Sequence, residues 1–138
     1  MSGSTPANVN PIFEANVKNA GVEFTSADAT SKKTVYTGNS SGNNAGSRID
    51  SLMISTSDTS DVNLAFYVTV GGTDYYIGVV KVPTGSGYTT VPRVEGLTTL
   101  SPTTGYFVLG PGDVLKAACV ATMTAAKVTD VVAQLGDY

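Results

Sequence analysis

Histidine does not occur anywhere in this chain. That one absence removes Ser-His-Asp and Cys-His catalysis, HExxH zinc chemistry and imidazole general-base chemistry. Cysteine occurs once, at Cys119. A single cysteine excludes an intrachain disulfide and any multi-cysteine metal site. It sits in the run Val114-Leu115-Lys116-Ala117-Ala118-Cys119-Val120-Ala121, where a free cysteine reads as a small buried hydrophobe. Tryptophan is missing too, which weakens the case for a sugar-stacking site built on the tyrosines. Charge is scarce: Asp, Glu, Lys and Arg make up 14% of the chain, against about 25% in ordinary soluble domains. The net charge of −3 is mild and the eight Lys and Arg are scattered, so no nucleic-acid partner is expected. No apolar run approaches the roughly 18 residues of a membrane span, and no membrane partner is expected. The start, Met1-Ser2-Gly3-Ser4-Thr5-Pro6, has neither a basic nor an apolar signal region. The expectation is a protein that works where it is made, or is assembled there into something larger.

What is present points to β-structure. The 138 residues suit one domain, long enough to bury roughly 68% of its unfolded surface. Residues 1–13 read as an arm: Pro6 and Pro11 block regular pairing, and Ile12 and Phe13 close the segment as two large apolar side chains. Val22 and Phe24, then Val35 and Tyr36, mark two short strands. Residues 37–46 hold only Thr, Gly, Asn, Ser and Ala, and read as a long flexible loop with nothing to anchor a core. Residues 47–56 carry Ile49, Leu52, Met53 and Ile54 and read as a strand.

The clearest pattern is period two. Val62, Leu64, Phe66, Val68 and Val70 alternate with Asn63, Ala65, Tyr67 and Thr69, which predicts the first set inside and Asn63 and Thr69 outside. Gly71-Gly72 interrupts the alternation, and Tyr75, Ile77 and Val79 resume it beside Tyr76, Val80 and Val82, as a β-hairpin requires. Tyr67, Tyr75 and Tyr76 are expected to meet across that hairpin. Residues 83–87 form a loop, 88–91 a short strand ended by Pro92, and Leu97 and Leu100 pack beneath a loop. Residues 106–109 form a strand, Gly110-Pro111-Gly112-Asp113 turns the chain, and residues 114–123 run back as its partner. Val128, Val131, Val132 and Leu135 carry helical spacing, but their β-branching and all-β surroundings favour a strand. Eight or nine strands with turns between them predict an all-β fold, a single antiparallel β-sandwich or jelly-roll-like domain over residues 14–138.

Chemical motifs are few. Gly85-Ser86-Gly87 lacks the Lys and the helix of a phosphate loop and reads as a turn. Asp58-Thr59-Ser60-Asp61 lacks the Gly and bidentate Glu of a calcium loop and also reads as a turn. No pair among the eleven acidic residues is singled out by spacing. Arg48 and Asp50 share one face at a strand start, as an exposed ion pair or an intersubunit contact. No catalytic, cofactor-binding or metal-ligating residue is expected, and the chain does not read as an enzyme.

Four short motifs stand out together: Asn10-Pro11-Ile12-Phe13-Glu14-Ala15, Gly46-Ser47-Arg48-Ile49-Asp50, Gly110-Pro111-Gly112-Asp113-Val114-Leu115 and the final Gly136-Asp137-Tyr138. Over residues 10–138 this set resembles the small structural proteins of tailed phages that cement or decorate capsids. The resemblance implies a sandwich or jelly-roll body, a homotrimer, the major capsid protein as partner, and a place on the virion surface after synthesis in the host cytoplasm. Within the motifs, Ile12, Phe13, Arg48, Asp50 and Tyr138 are the candidate interface residues. A tail-fibre or receptor-binding module that takes a glycan is the alternative.

Overall fold

The computed structural model describes residues 16–41 and 45–138. Its elements are β1 (Asn16–Thr25), β2 (Lys33–Thr37), β3 (Ser47–Thr56), β4 (Val62–Val70), β5 (Thr73–Val82), β6 (Val94–Glu95), α1 (Leu97–Leu100), β7 (Phe107–Leu109), β8 (Val114–Cys119) and β9 (Val128–Asp137). The fold is nearly all β, and two antiparallel sheets pack as a sandwich. The first sheet runs β1-β9-β3-β6, with β7 also on β3; the second runs β2-β8-β4-β5. Pairing is nested: β4 with β5, β3 with β6 and β7, β2 with β8, β1 with β9.

The core lies between the sheets. The first sheet contributes Phe24, Ile49, Leu52, Ile54, Val131, Ala133 and Leu135; the second contributes Val35, Leu64, Phe66, Val80, Val82, Leu115, Ala117 and Cys119. Strict alternation cannot place all of these inside, and bulges do the rest. In β3 the register to β9 breaks between Ile49 and Ser51, so Ile49 and Leu52 both face inward although they are three apart. In the β4–β5 ladder, Phe66 lies opposite Gly78 while Tyr67 lies opposite Tyr76, and beyond this bulge Val80 and Val82 turn into the core. Such side chains are worth about 1.5–3 kcal/mol each on full burial, which is what holds the two sheets face to face.

The β4–β5 hairpin forms at Gly71-Gly72, whose φ values of 59° and 84° are the left-handed geometry that such turns need. Tyr67 and Tyr76 meet edge to face, with centroids 5.8 Å apart. Residues 128–137 form a strand at the centre of the first sheet, as β-branching indicated.

Four expectations need correction. Val70 is 46% exposed rather than inside, because the β4–β8 ladder ends at Thr69 and Val70 lies in the hairpin beyond it. Tyr75 does not join Tyr67 and Tyr76 across the hairpin, because it lies opposite Val68 and points to the other face of the strand from Tyr76. Residues 88–91 form turns, not a strand: Gly87 N–H donates to the Val91 carbonyl at 2.7 Å, so the segment closes on itself and has no ladder to join. β8 is not the partner of β7. The turn at 110–113 carries the chain from one sheet to the other, so β7 pairs with β3 while β8 pairs with β2 and β4.

The loop after β2 is anchored at both ends. Gly38 and Gly46 are buried, and Gly46 N–H donates to the Asn39 carbonyl at 2.6 Å. A Cβ at Gly38 would overlap the Gly110 carbonyl oxygen, so only glycine fits there. Residues 42–44 and the arm at 1–13 lie outside the described residues.

Candidate binding surface

Two charged clusters tie strands that are far apart in sequence. The first closes one end of the sandwich. Asp137, the last residue of β9, is only 5% exposed. It accepts hydrogen bonds from Tyr36 Oη at 2.8 Å and Ser47 Oγ at 2.7 Å, and pairs with Lys18 Nζ at 2.8 Å. These donors come from β2, β3 and β1, so one carboxylate binds both sheets together. Burial alone would raise its pKa; the bonds from Lys18, Ser47 and Tyr36 outweigh that and hold it below the usual carboxylate value. Asp137 in turn raises the pKa of Lys18. Ser47 Oγ also accepts the Asn39 N–H at 2.9 Å, and Asn39 Nδ2 donates to the Tyr138 carbonyl at 3.1 Å.

The second cluster lies on the outer face of the β2-β8-β4-β5 sheet. Asp74 accepts from Thr69 Oγ1, from Lys32 Nζ at 2.9 Å and from Lys116 Nζ at 3.3 Å. The Thr69 hydroxyl, with the two ammonium groups, holds this carboxyl well below the ordinary range. Lys32 also sits 4.1 Å above the Tyr67 ring, a cation–π contact. Tyr76, opposite Tyr67 on the neighbouring strand, flanks the cluster and is 60% exposed, whereas Tyr75, opposite Val68, points to the other face. The result is a face of two lysines, one carboxylate and two tyrosine rings, Tyr67 and Tyr76.

The outer face of the first sheet carries a different pair. Glu23 and Asp130 are direct cross-strand neighbours on β1 and β9, and Tyr88 Oη donates to Asp130 at 3.2 Å. The neighbouring Asp130 carboxylate raises the pKa of Glu23. Asp58 and Asp61, read as a turn from sequence, do not converge: Asp58 accepts from Ser60 and Thr124, and Asp61 from Thr84 and Lys81.

The residues expected at an interface are placed as follows. Arg48 and Asp50 form the anticipated pair, Nε to Oδ1 at 2.9 Å, and the Arg48 guanidinium lies 5.1 Å from the centre of the Tyr106 ring. Tyr138 joins that end of the sheet through main chain, its N–H donating to the Gly46 carbonyl at 3.1 Å. Ile12 and Phe13 lie outside the described residues. The roles of Asp137 and Asp74 were not legible in sequence, because their partners lie 101 and 42 positions away for Tyr36 and Lys32 respectively. The one available hint was the polar Tyr36 and Asp74 inside strand patterns. Cys119 is buried in the core, and burial, helped by Asp28 and Asp58, pushes its thiol up to about 11.

No protein-family model matches the chain, and no curated protein matches it significantly.

Proposed function

We propose that this chain is a non-enzymatic virion structural protein of a tailed phage, which binds and stabilises a capsid lattice as a cement or decoration protein. Its partner in this reading is the major capsid protein, its place is the outer capsid surface, and it self-associates as a homotrimer. The observation that carries the proposal is the division of labour on the surface. The charged groups at Asp137 and Asp74 are engaged in ties between strands, whereas Val17, Tyr75, Tyr76, Val108 and Val120 stand exposed. A charge-poor body stiffened this way suits repeated contact with a lattice, where many weak copies act together. The nested strand pairing supports the finer reading of the sandwich as a jelly roll, since a jelly roll is a long antiparallel hairpin folded over on itself.

The test is co-sedimentation of the full chain with undecorated particles, beside a truncation lacking residues 1–13. Saturable binding by the full chain is expected, with a folded truncation that binds more weakly. A full chain that leaves every particle unbound overturns the proposal. Equal binding by both chains rejects the role of the arm alone.

A second reading draws on the exposed Tyr76 with Tyr67 beside Asp74 and Lys32, which together could stack and hydrogen-bond a sugar, as in a tail-fibre module. Glycan-array binding that is lost in Tyr76→Ala would favour it.

A further inference from the structure

Strands at the edge of a sheet expose unpaired main-chain groups, and proteins blunt such edges by shortening, bulging or covering them. Four edges here are blunted. β2 has five residues and a register break between Thr34 and Tyr36. β6 has two residues and β7 three. β5 is bulged and packs against α1, where a Cβ on Gly78 would come within 3.1 Å of Leu100. β1 is the exception among the described residues. It has ten residues, an unbroken register to β9 and no proline, and its first four side chains are all exposed.

The direction of its free groups can be read from two contacts. Thr25 N–H donates to Asp28 Oδ2 at 2.8 Å, and the Glu23 carbonyl accepts from Lys33 Nζ at 2.6 Å. Neither partner is in β9, so odd-numbered residues turn their main-chain groups away from that strand. Alternation carries this to Val17, Asn19 and Gly21, whose N–H and carbonyl groups face the open side.

The side chains on this stretch fit a second strand. Val17 is 85% exposed. Gly21 has no reason of its own to be glycine: an added Cβ would meet nothing nearer than the Val131 carbonyl oxygen at 3.6 Å, and its φ is not left-handed. A strand glycine with no bulge or bend to explain it often marks a site where another backbone or a ligand comes close.

We propose that β1 pairs antiparallel with β1 of a second copy of this chain, about a two-fold axis at Asn19. Asn19 then lies opposite Asn19 of the partner subunit, and Val17 lies over Gly21 of the partner subunit, which leaves room for it. Lys18 faces Ala20 of the partner subunit and is already neutralised by Asp137, so no like charges oppose. Both copies keep the same face outward, and the first sheets join into one. A two-fold contact cannot close a three-fold ring, so this surface goes beyond the trimer and joins one oligomer to the next.

Asn19→Cys tests the register in the full chain, since directly opposed residues lie about 5.5 Å apart, within disulfide range. Under mild oxidation this variant is expected to give a covalent dimer on non-reducing gels, while Lys81→Cys, exposed on the other sheet, does not. Asn19→Pro removes an open-side N–H without touching the β9 ladder, and Val17→Lys adds charge at an exposed position. Both are expected to melt like wild type and to associate at least tenfold more weakly by analytical ultracentrifugation. Wild-type association in both variants overturns the proposal. So does linkage of Asn19→Cys no faster than Lys81→Cys, including when the edge is filled by residues 1–15 of its own chain. A trimer that persists while Asn19→Cys fails to link overturns this contact alone and leaves the trimer standing.

Discussion

Asp137→Ala is expected to be the most damaging single change outside the apolar core. The substitution leaves two hydroxyls without their acceptor: Ser47, wholly buried, and Tyr36, half-buried. A stranded buried polar group costs about 1–3 kcal/mol. Ser47 Oγ keeps its bond from the Asn39 N–H, but its own proton then has no partner near it. Lys18 adds little, because its side chain is 43% exposed and returns to water. The sum is about 3 kcal/mol, or a fall of roughly 10 °C in melting temperature for a chain of this size. Urea unfolding at fixed protein concentration measures it, since association would otherwise shift the apparent stability. The pH dependence gives an independent handle. The Asp137 pKa is lowered in the folded state, so its contribution is complete above the unfolded value near 3.9 and is lost as pH falls through the folded value. The gap between wild type and Asp137→Ala is therefore expected to be widest at neutral pH and to shrink toward strong acid. A loss under about 1 kcal/mol at pH 7, or a gap that does not change with pH, would refute the assignment of Asp137 as the tie between the sheets.

Glu23→Gln is expected to act in the opposite sense. The folded pKa of Glu23 is raised by Asp130, so the charged pair opposes folding once pH rises through that value. The variant should melt higher than wild type at pH 7, with no advantage at pH 3; equal melts at pH 7 count against the repulsion. Cys119 is expected to stay silent to a thiol reagent at pH 8 and to react fully in denaturant, because it is buried and its thiol is pushed up to about 11. Prompt labelling of the native protein would contradict its place in the core.

The strands themselves were local information. Period two at Val62, Leu64 and Phe66, the Gly71-Gly72 break and the β-branched run at 128–132 each specify extended backbone with one apolar face, and all three are realised. The lack of histidine and the lone cysteine likewise needed no structure to narrow the chemistry. Tertiary structure decided what lies beyond the reach of a local pattern. The turn at 110–113 looks the same whether the chain returns in its own sheet or crosses to the other; only the packing of two twisted sheets sends β8 across. The bulges in β3 and in the β4–β5 ladder shift which residues face inward, and nothing in the alternation marks where they fall. Asp137 and Asp74 became the centres of their clusters because folding gathers donors from strands remote in sequence. Side-chain periodicity is a property of one strand, whereas pairing, crossing and charge neutralisation belong to the assembled sheets.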